Sequence, residues 1–375
     1  MRFLHIADLH IGKRLGEFSL IEDQRAVLDQ LAAIAAREQV DAVLIAGDVY
    51  QRSAPQAEAM EVFDGFLTAL SAQGLRVFLI SGNHDSDRRL SYFARLIRGA
   101  NVFAAGRFTG RLQRFELEDA YGRLHVHLLP FLRPAQARRF FPEEDIEDTE
   151  DAVRAVIAHS EIDPEARNVL VCHQFITGAA TSGSEEHMIG GLDNVSAAEF
   201  DAFDYVALGH LHRPQKIGRE SLRYAGSPLK YSLSEADHHK SAAIVELKAK
   251  GEVAVRTVPL EPPHDLRAVR GLLAGVMDMP YSEDYVHVTL CDELIPPDAR
   301  VTLLTNFPNL LRVSVENAAT AGEELPPQRD VKELSVGELF EDFYRLQNEG
   351  AAPGRAVMAE LEKALLRLEE HHEAD

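Results

Sequence analysis

Five short segments of this chain bring together residue types that hold metal ions. Asp8-Leu9-His10 closes the apolar run Arg2–Ala7. Gly47-Asp48 follows Ala42–Ala46, and Gly82-Asn83-His84-Asp85 follows Arg76–Ser81. His173 ends VLVCH, and Gly209-His210-Leu211-His212 ends VALGHLH. In Asp8-x-His10 and His210-x-His212, extended backbone would set side chains two apart on the same side, so that each pair approaches a cation from one direction. The glycines before Asp48, Asn83 and His210 permit tight turns and close backbone approach. Carboxylate, amide oxygen and imidazole suit Mn²⁺, Fe²⁺ or Zn²⁺ rather than a thiolate structural site. The seven ligands Asp8, His10, Asp48, Asn83, His173, His210 and His212 are too many for one tetrahedral ion and fit two metals that share a bridge. One such segment alone reads as a polar turn. Five in order, each closing an apolar run, read as a metal centre.

The elements that must carry these residues follow from hydrophobic pattern. The apolar runs are short and continuous, as buried strands are. Helical periodicity separates the early ones, with Val27, Leu28, Leu31 and Ile34 on one face of 21–39. Strands alternating with helices imply an α/β layer with largely parallel strands, and such layers bind ligands at the carboxyl ends of the strands. Residues 124–129, 222–224 and 242–247 read as further strands, close enough in sequence that part of the sheet is antiparallel or mixed. Prolines and charge at 259–265 mark a boundary. Beyond it the pattern predicts a small α+β module: a helix about 266–277, a strand at 285–290, a helix about 297–306 and a strand at 311–315.

The expected domains are therefore 1–262, 263–316, a linker at 317–334 and C-terminal helices at 335–375. In the last of these, Ser335 and Glu338 form a capping box ahead of Leu339, Phe340, Phe343 and Leu346 on one face, and a second helix is expected about 355–371. The helix at 56–71 carries Met60, Phe63, Leu67 and Leu70 on one apolar face and Val62, Phe66 and Ala69 on another. A helix apolar on two sides is buried on two sides, which predicts the sheet on one and a second copy of the chain on the other.

The 375 residues carry a net charge of −21, and residues 316–375 hold fifteen Asp/Glu against six Lys/Arg. That balance argues against a stand-alone nucleic-acid binder. No apolar run approaches the roughly 18 residues of a membrane span, and MRFLHIADLH lacks the apolar core of a signal peptide. Two cysteines give no disulfide framework, so a cytoplasmic chain is expected. Among the remaining histidines, His5 is expected in the core, His125 and His127 on the solvated face of a strand, and His159, His238 and His239 at the surface. Cys172 reads as a buried thiol facing away from His173.

DLH (8–10), AGDVY (46–50), GNHD (82–85), CHQF (172–175) and GHLH (209–212) together resemble the calcineurin-like metallophosphoesterases. Within that superfamily SGSEEHMIGG (182–191), FDYVALGHLHRPQ (203–215) and YAGSPLKYSLSEADHHKS (224–241) are similar to the SbcD nuclease family. The resemblance implies an α/β sandwich of two mixed sheets flanked by helices, with a small α+β cap domain and C-terminal helices. It implies two divalent metals, Mn²⁺ as a rule, bridged by Asp48. Asp8, His10 and His212 would complete one, and Asn83, His173 and His210 the other. It further implies DNA cleavage, as a double-strand 3′–5′ exonuclease and a single-strand or hairpin endonuclease. The partner would be the coiled-coil ATPase SbcC, and the setting end processing, repair and recombination at the nucleoid.

Gln51 stands where phosphatase relatives carry an acid, which disfavours a protein phosphatase. The rival class is a small-molecule phosphodiesterase or phosphatase with the same dinuclear site. Two cations would act as Lewis acids and supply the attacking hydroxide. With Asn83 already a ligand, His84 is expected to work on the transition state. Asp85 then either orients His84 or caps the following helix. Arg14, Arg52, Arg88 and Arg89 follow metal motifs, where their charge would be drawn to phosphates. The Leu339/Phe340/Phe343/Leu346 face is the expected docking element for SbcC.

Overall fold

The structure is a computed structural model that describes residues 1–92, 94–183 and 194–317, and beyond them Phe340, Tyr344, Pro353, Val357 and Met358. Most of the expected linker, the capping box, and Leu339, Phe343 and Leu346 lie outside the described residues. So does the second C-terminal helix, apart from Val357 and Met358, which are helical. Phe340 is also helical, its ring centroid 6.1 Å from that of Tyr344.

In chain order, β1 (Arg2–Ile6), α1 (Ile21–Arg37), β2 (Ala42–Ala46), α2 (Ala57–Ala72), β3 (Arg76–Ile80), α3 (Asp87–Ser91) and β4 (Val102–Ala105) alternate as strands and helices. A second run holds β5 (Gln113–Asp119), β6 (Gly122–Leu129), α4 (Thr149–Ala158), β7 (Arg167–His173), β8 (Tyr205–Gly209), β9 (Gln215–Ile217) and β10 (Arg219–Tyr224). The chain then returns through β11 (Ser241–Leu247) and β12 (Val253–Pro259). One six-stranded sheet has the order β12-β11-β1-β2-β3-β4 and the other β9-β10-β8-β7-β6-β5. β1 to β4 are mutually parallel, β11 and β12 antiparallel, and the second sheet is likewise mixed.

Side-chain alternation divides the core into layers. Leu4, Ile6, Val43, Ile45, Val77 and Leu79 face α1 and α2. Phe3, Leu44 and Phe78 face the other sheet and meet Val126, Val169 and Ala207. The outer side of the second sheet packs Leu170, Cys172 and Val206 against Ala152, Val153 and Val156 of α4. Cys172 thus sits on the face opposite the space between the sheets, as alternation predicts. Glu22 and Asp23 in the first turn of α1, with Arg37 in its last, complement the helix dipole.

After 262 come β13 (Leu266–Gly271), α5 (Leu273–Met277), β14 (Tyr285–Leu290), α6 (Ala299–Leu304) and β15 (Leu310–Val315), the three strands forming a parallel sheet. Val276, Val286, Val288, Leu303 and Phe307 give this module its own core. Tyr285 joins it to α1 by donating its hydroxyl to Asp23 Oδ2 at 2.8 Å.

Several expectations are corrected. Residues 266–271 are strand rather than the first half of a helix. Their alternating burial fits an open sheet face, and β14 supplies the ladder hydrogen bonds that a helix would have made internally. His125 and His127 are buried, because Phe203 and Asn168 cover that face of β6; His127 Nε2 lies 3.0 Å from Asn168 Oδ1. Burial pushes the His127 imidazole down to about 4. His238 is also buried. On α2 the two apolar faces merge. Val62, Phe63, Phe66 and Leu70 are all buried in the core that α1 and the sheet share, and Met60 is exposed. Both apolar faces of α2 thus contribute to the chain's own core, with Met60 exposed and Leu67 and Ala69 half-buried. Among the described residues no helix is long and apolar enough to cross a membrane.

Candidate metal centre

The carboxyl ends of β1, β2, β3, β7 and β8 meet at one edge of the two sheets. The loops after β1 and β2 are stitched together by backbone bonds from Asp8 N to Gly47 O (3.1 Å), His10 N to Asp48 O (2.9 Å) and Ile11 N to Val49 O (2.9 Å). Asp8, His10, Asp48 and His210 all have positive φ, at 52°, 43°, 49° and 107°. Extended backbone therefore does not align Asp8 with His10; a left-handed turn does. Non-glycine residues adopt this region at a cost of order 1–3 kcal/mol each. Among the described non-glycine residues only Gln39 and Asn101 share it, so the cost is concentrated where the candidate ligands lie. Side-chain acceptors hold the turns: Asp8 Oδ1 takes the His210 N–H and Asp48 Oδ1 the His84 N–H, both at 2.9 Å.

Glycine is required at two points by close approach. A Cβ on Gly209 would overlap the Ala46 carbonyl oxygen, and one on Gly82 would overlap the Asp48 carboxylate. No side chain fits between these strand ends.

The gathered atoms form two adjoining groups. In one, His10 Nε2 lies 3.1 Å from His212 Nε2, and Asp8 supplies an oxygen close to both. In the other, Asn83 Oδ1 lies 3.0 Å from His173 Nε2 and 3.1 Å from His210 Nδ1. Asp48 Oδ2 faces both, 3.6 Å from His10 Nε2 and 3.4 Å from His173 Nε2. The structure thus brings together all seven sequence candidates, and six of them are buried, with Asn83 half-buried.

The donor set fits a cation. Asp8 Oδ2 is buried with no hydrogen-bond partner. His173 Nδ1 lies 2.8 Å from the Ala46 carbonyl, to which it donates, so the neutral ring turns a lone pair toward Asn83 Oδ1 and Asp48 Oδ2. Acceptors facing acceptors need positive charge between them. Burial opposes charge on His173, but Asp48 and Asp8 outweigh it and push the imidazole up to about 9. A proton supplies the missing charge in one way and a divalent ion in the other. Asp8 is pushed up to about 7 by burial, against the pull of His173 and His212.

The family model described as Calcineurin-like phosphoesterase matches residues 1–214, which include every candidate ligand. The chain belongs to the calcineurin-like phosphoesterases. A second model, SbcD_C, described as Type 5 capsule protein repressor C-terminal domain, matches residues 262–348 of this phosphoesterase. It is 30% identical over 355 residues to the D component of nuclease SbcCD from Staphylococcus epidermidis, covering 92% of this chain and 93% of that protein. The same nuclease component from Staphylococcus saprophyticus is 29% identical over 361 residues, with 92% of each chain covered. These similarities place the phosphoesterase in the SbcD family, an enzyme family of metal-dependent phosphodiesterases. A crystal structure of a dimetal phosphatase from Danio rerio aligns at TM-score 0.42 and 12% identity, over 68% of this chain and 95% of that one.

Beside the phosphoesterase's centre, His84 is half-buried, with a ring nitrogen within 4.8 Å of His10 and Asp48 ligand atoms. Its ring centroid is 4.8 Å from that of His10, and its Nδ1 lies 3.3 Å from the Gln51 carbonyl. Asp85 takes neither expected role. Its carboxylate accepts from the backbone N–H groups of Val49, Tyr50 and Gly82, each at 3.0 Å, and so ties the β2 loop to the β3 loop. His84 is oriented by Gln51 instead, and Ser86 caps α3 through Arg89 N at 3.4 Å. Burial, with the Asp48 charge, pushes Asp85 up to about 7.

The four arginines separate. Arg14 and Arg52 line one cavity of about 240 Å³ with Lys13 and Gln51. Arg89 donates to the Ser53 carbonyl at 2.9 Å, and Arg88 is exposed. Sequence reasoning missed four neighbours of the centre. Tyr231 has its ring 5.5 Å from His10 and bonds the Leu9 carbonyl. Phe131 stacks at 6.5 Å on His210 with Arg133 5.1 Å over its ring. Glu235 lies 2.9 Å from His212, and Lys240 stands behind it. Tyr231, Glu235 and Lys240 lie in the family-like segment 224–241, which marked the segment without giving these residues a role, and PFLRP, directly after β6, offered an aromatic and an arginine.

Proposed function

We propose that this phosphoesterase is the nuclease component of an SbcCD-type complex and hydrolyses DNA phosphodiesters with two divalent cations, Mn²⁺ foremost. Asp8, His10, Asp48 and His212 would hold one cation, and Asp48, Asn83, His173 and His210 the other. The observation that carries this reading is Asp48 Oδ2, one buried oxygen facing both groups at 3.6 and 3.4 Å. Cations bound there supply Lewis acidity toward a non-bridging phosphate oxygen and toward the attacking water.

The chain's own residues do the rest. The Gln51 carbonyl accepts the Nδ1 proton of His84 and leaves the opposite nitrogen to act beside His10 and Asp48. From there a protonated ring donates to the phosphoryl oxygens or to the departing 3′-oxygen. Asp85 keeps the Asp48 and Asn83 loops in register. Arg14 and Arg52 offer phosphate contacts in their shared cavity, and Phe131 offers a flat face beside His210.

The products expected are those of a double-strand 3′–5′ exonuclease and a single-strand or hairpin endonuclease, in the cytoplasm at the nucleoid. With a net charge of −21, the chain depends on a partner ATPase of the SbcC kind for its grip on DNA, and residues 335–375 dock that partner. Self-association keeps Met60 and the half-buried Leu67 and Ala69 of α2 as support, and light scattering of the chain alone decides it.

The deciding assay is cleavage of blunt duplex and hairpin DNA with Mn²⁺, with and without SbcC and ATP. Cleavage that chelation stops supports the proposal. Turnover of small phosphodiesters with intact DNA, partner present, would turn the reading to a small-molecule phosphodiesterase.

A further inference from the structure

His212 is gripped at two points by residues that are not candidate ligands. Its Nδ1 lies 2.9 Å from Glu235 Oε1. Glu235 is fully buried, in the short turn Leu233–Glu235 that follows β10. Its other oxygen takes the Lys240 ammonium at 2.5 Å. Lys240, itself buried, also donates to the His212 carbonyl and to Ser227 Oγ, both at 2.8 Å. An ammonium has three N–H donors; these three oxygens are its near partners, and His238 Nδ1 lies farther off at 3.4 Å. One lysine thus ties down both the backbone of His212 and the carboxylate that holds its ring.

The chemistry of the pair fixes the imidazole. A carboxylate held by an ammonium only accepts, so the proton of His212 must sit on Nδ1. The lone pair is then on Nε2, the atom that faces His10 Nε2 at 3.1 Å. A buried ion pair is a costly way to hold a fold, since well-packed apolar residues of similar volume do as well or better. Its place behind His212 gives it a use that apolar residues could not supply.

We propose that Glu235, held by Lys240, is a positioning residue that fixes His212 as an Nε2 ligand and thereby sets the affinity of one of the two cation sites. The inference rests on the dinuclear reading above. The first test is a Mn²⁺ titration by calorimetry on the wild-type chain, on Glu235→Gln and on the double variant Glu235→Leu/Lys240→Met. The double variant removes both charges while keeping side-chain volume, so it folds without an unpaired buried charge. Loss of a partner that orients a metal-binding histidine weakens metal affinity about 10–100-fold. That loss is expected at one site, with the other unchanged, in both variants.

The second test needs no variant. Nitrogen NMR of ¹⁵N-histidine protein without metal should show His212 as the Nδ1–H tautomer, assigned by its absence in His212→Ala. A folded double variant with wild-type affinity at both sites overturns the inference, as does an Nε2–H tautomer. If the wild type binds a single cation, the dinuclear reading fails, and the tautomer still decides whether the clamp exists.

Discussion

Asp85 and His84 are neighbours in sequence and have opposite relations to the chemistry. The Asp85 carboxylate satisfies three backbone donors. Removing it in Asp85→Ala leaves Val49, Tyr50 and Gly82 N–H groups without their acceptor, at about 1–3 kcal/mol for each that stays buried. Thermal melting should show a marked loss of stability, and Mn²⁺ binding should weaken as Asp48 and Asn83 lose register. A normal melt with only the turnover number reduced would return Asp85 to the role of orienting His84. For His84→Ala the expectation is reversed: metal content measured by elemental analysis is retained while hydrolysis is lost. Metal loss in that variant would make His84 a ligand. The meeting of Asp8, His10, Asp48, Asn83, His173, His210 and His212 was legible because residue type and position at strand ends suffice for it. Asp85, Gln51 and Glu235 were not legible, because their roles depend on which backbone or ring nitrogen lies across a loop, and spacing along the chain does not encode that.

Among the elements, the β5–β6 hairpin shows where pattern reading stops. Continuous apolar runs such as those of β1, β2 and β3 announce buried central strands. Gln113–Asp119 alternates Phe115 and Leu117 with charged residues and lies at the edge of its sheet, so it carries no such run. Residues 266–271 misled for the same reason, having too few apolar positions to separate the two periods. What anchors the hairpin is Arg167, buried at the start of β7, whose guanidinium donates to Asp119 Oδ1 at 2.6 Å and to the Gly122 carbonyl at 2.7 Å. Burial works against the Asp119 charge, but Arg167 overrides it and holds the carboxyl well below the usual range. A depressed folded-state value means the stabilisation is complete above the unfolded value of about 3.9 and fades as pH falls toward the folded one. Urea melts should therefore show wild type more stable than Asp119→Asn by a constant margin from about pH 7 to 5, narrowing below about pH 4. A margin that vanished at about pH 6 would exclude Asp119 as its source.

For the whole molecule, strand and helix alternation foretold an α/β layer with part of its sheet mixed, and the two-sheet sandwich came only from the family resemblance. The layering between the sheets needed the structure, since nothing in the sequence says which strands return to which sheet. The same scale governs metal linkage. Ions bound by the folded state alone stabilise it by about 2.7 kcal/mol per site at a hundredfold excess over Kd. Mn²⁺ should accordingly raise Tm, and chelation should lower it reversibly. A Tm indifferent to metal would mean that the centre does not load.

The left-handed turns at Asp8, His10, Asp48 and His210 also bear on how this protein would change under artificial selection. Each position holds a conformation that glycine tolerates and that costs other residues about 1–3 kcal/mol. A screen that rewards only soluble expression or heat resistance, in metal-free medium, sees that cost and none of its return. Libraries passed through such a screen should drift toward glycine or asparagine first at His10 and His210, since Asp8 and Asp48 also accept the backbone N–H groups that hold the turns. They would arrive at sturdier proteins with an erased centre, so thermostabilising this enzyme requires metal binding to be kept in the selection.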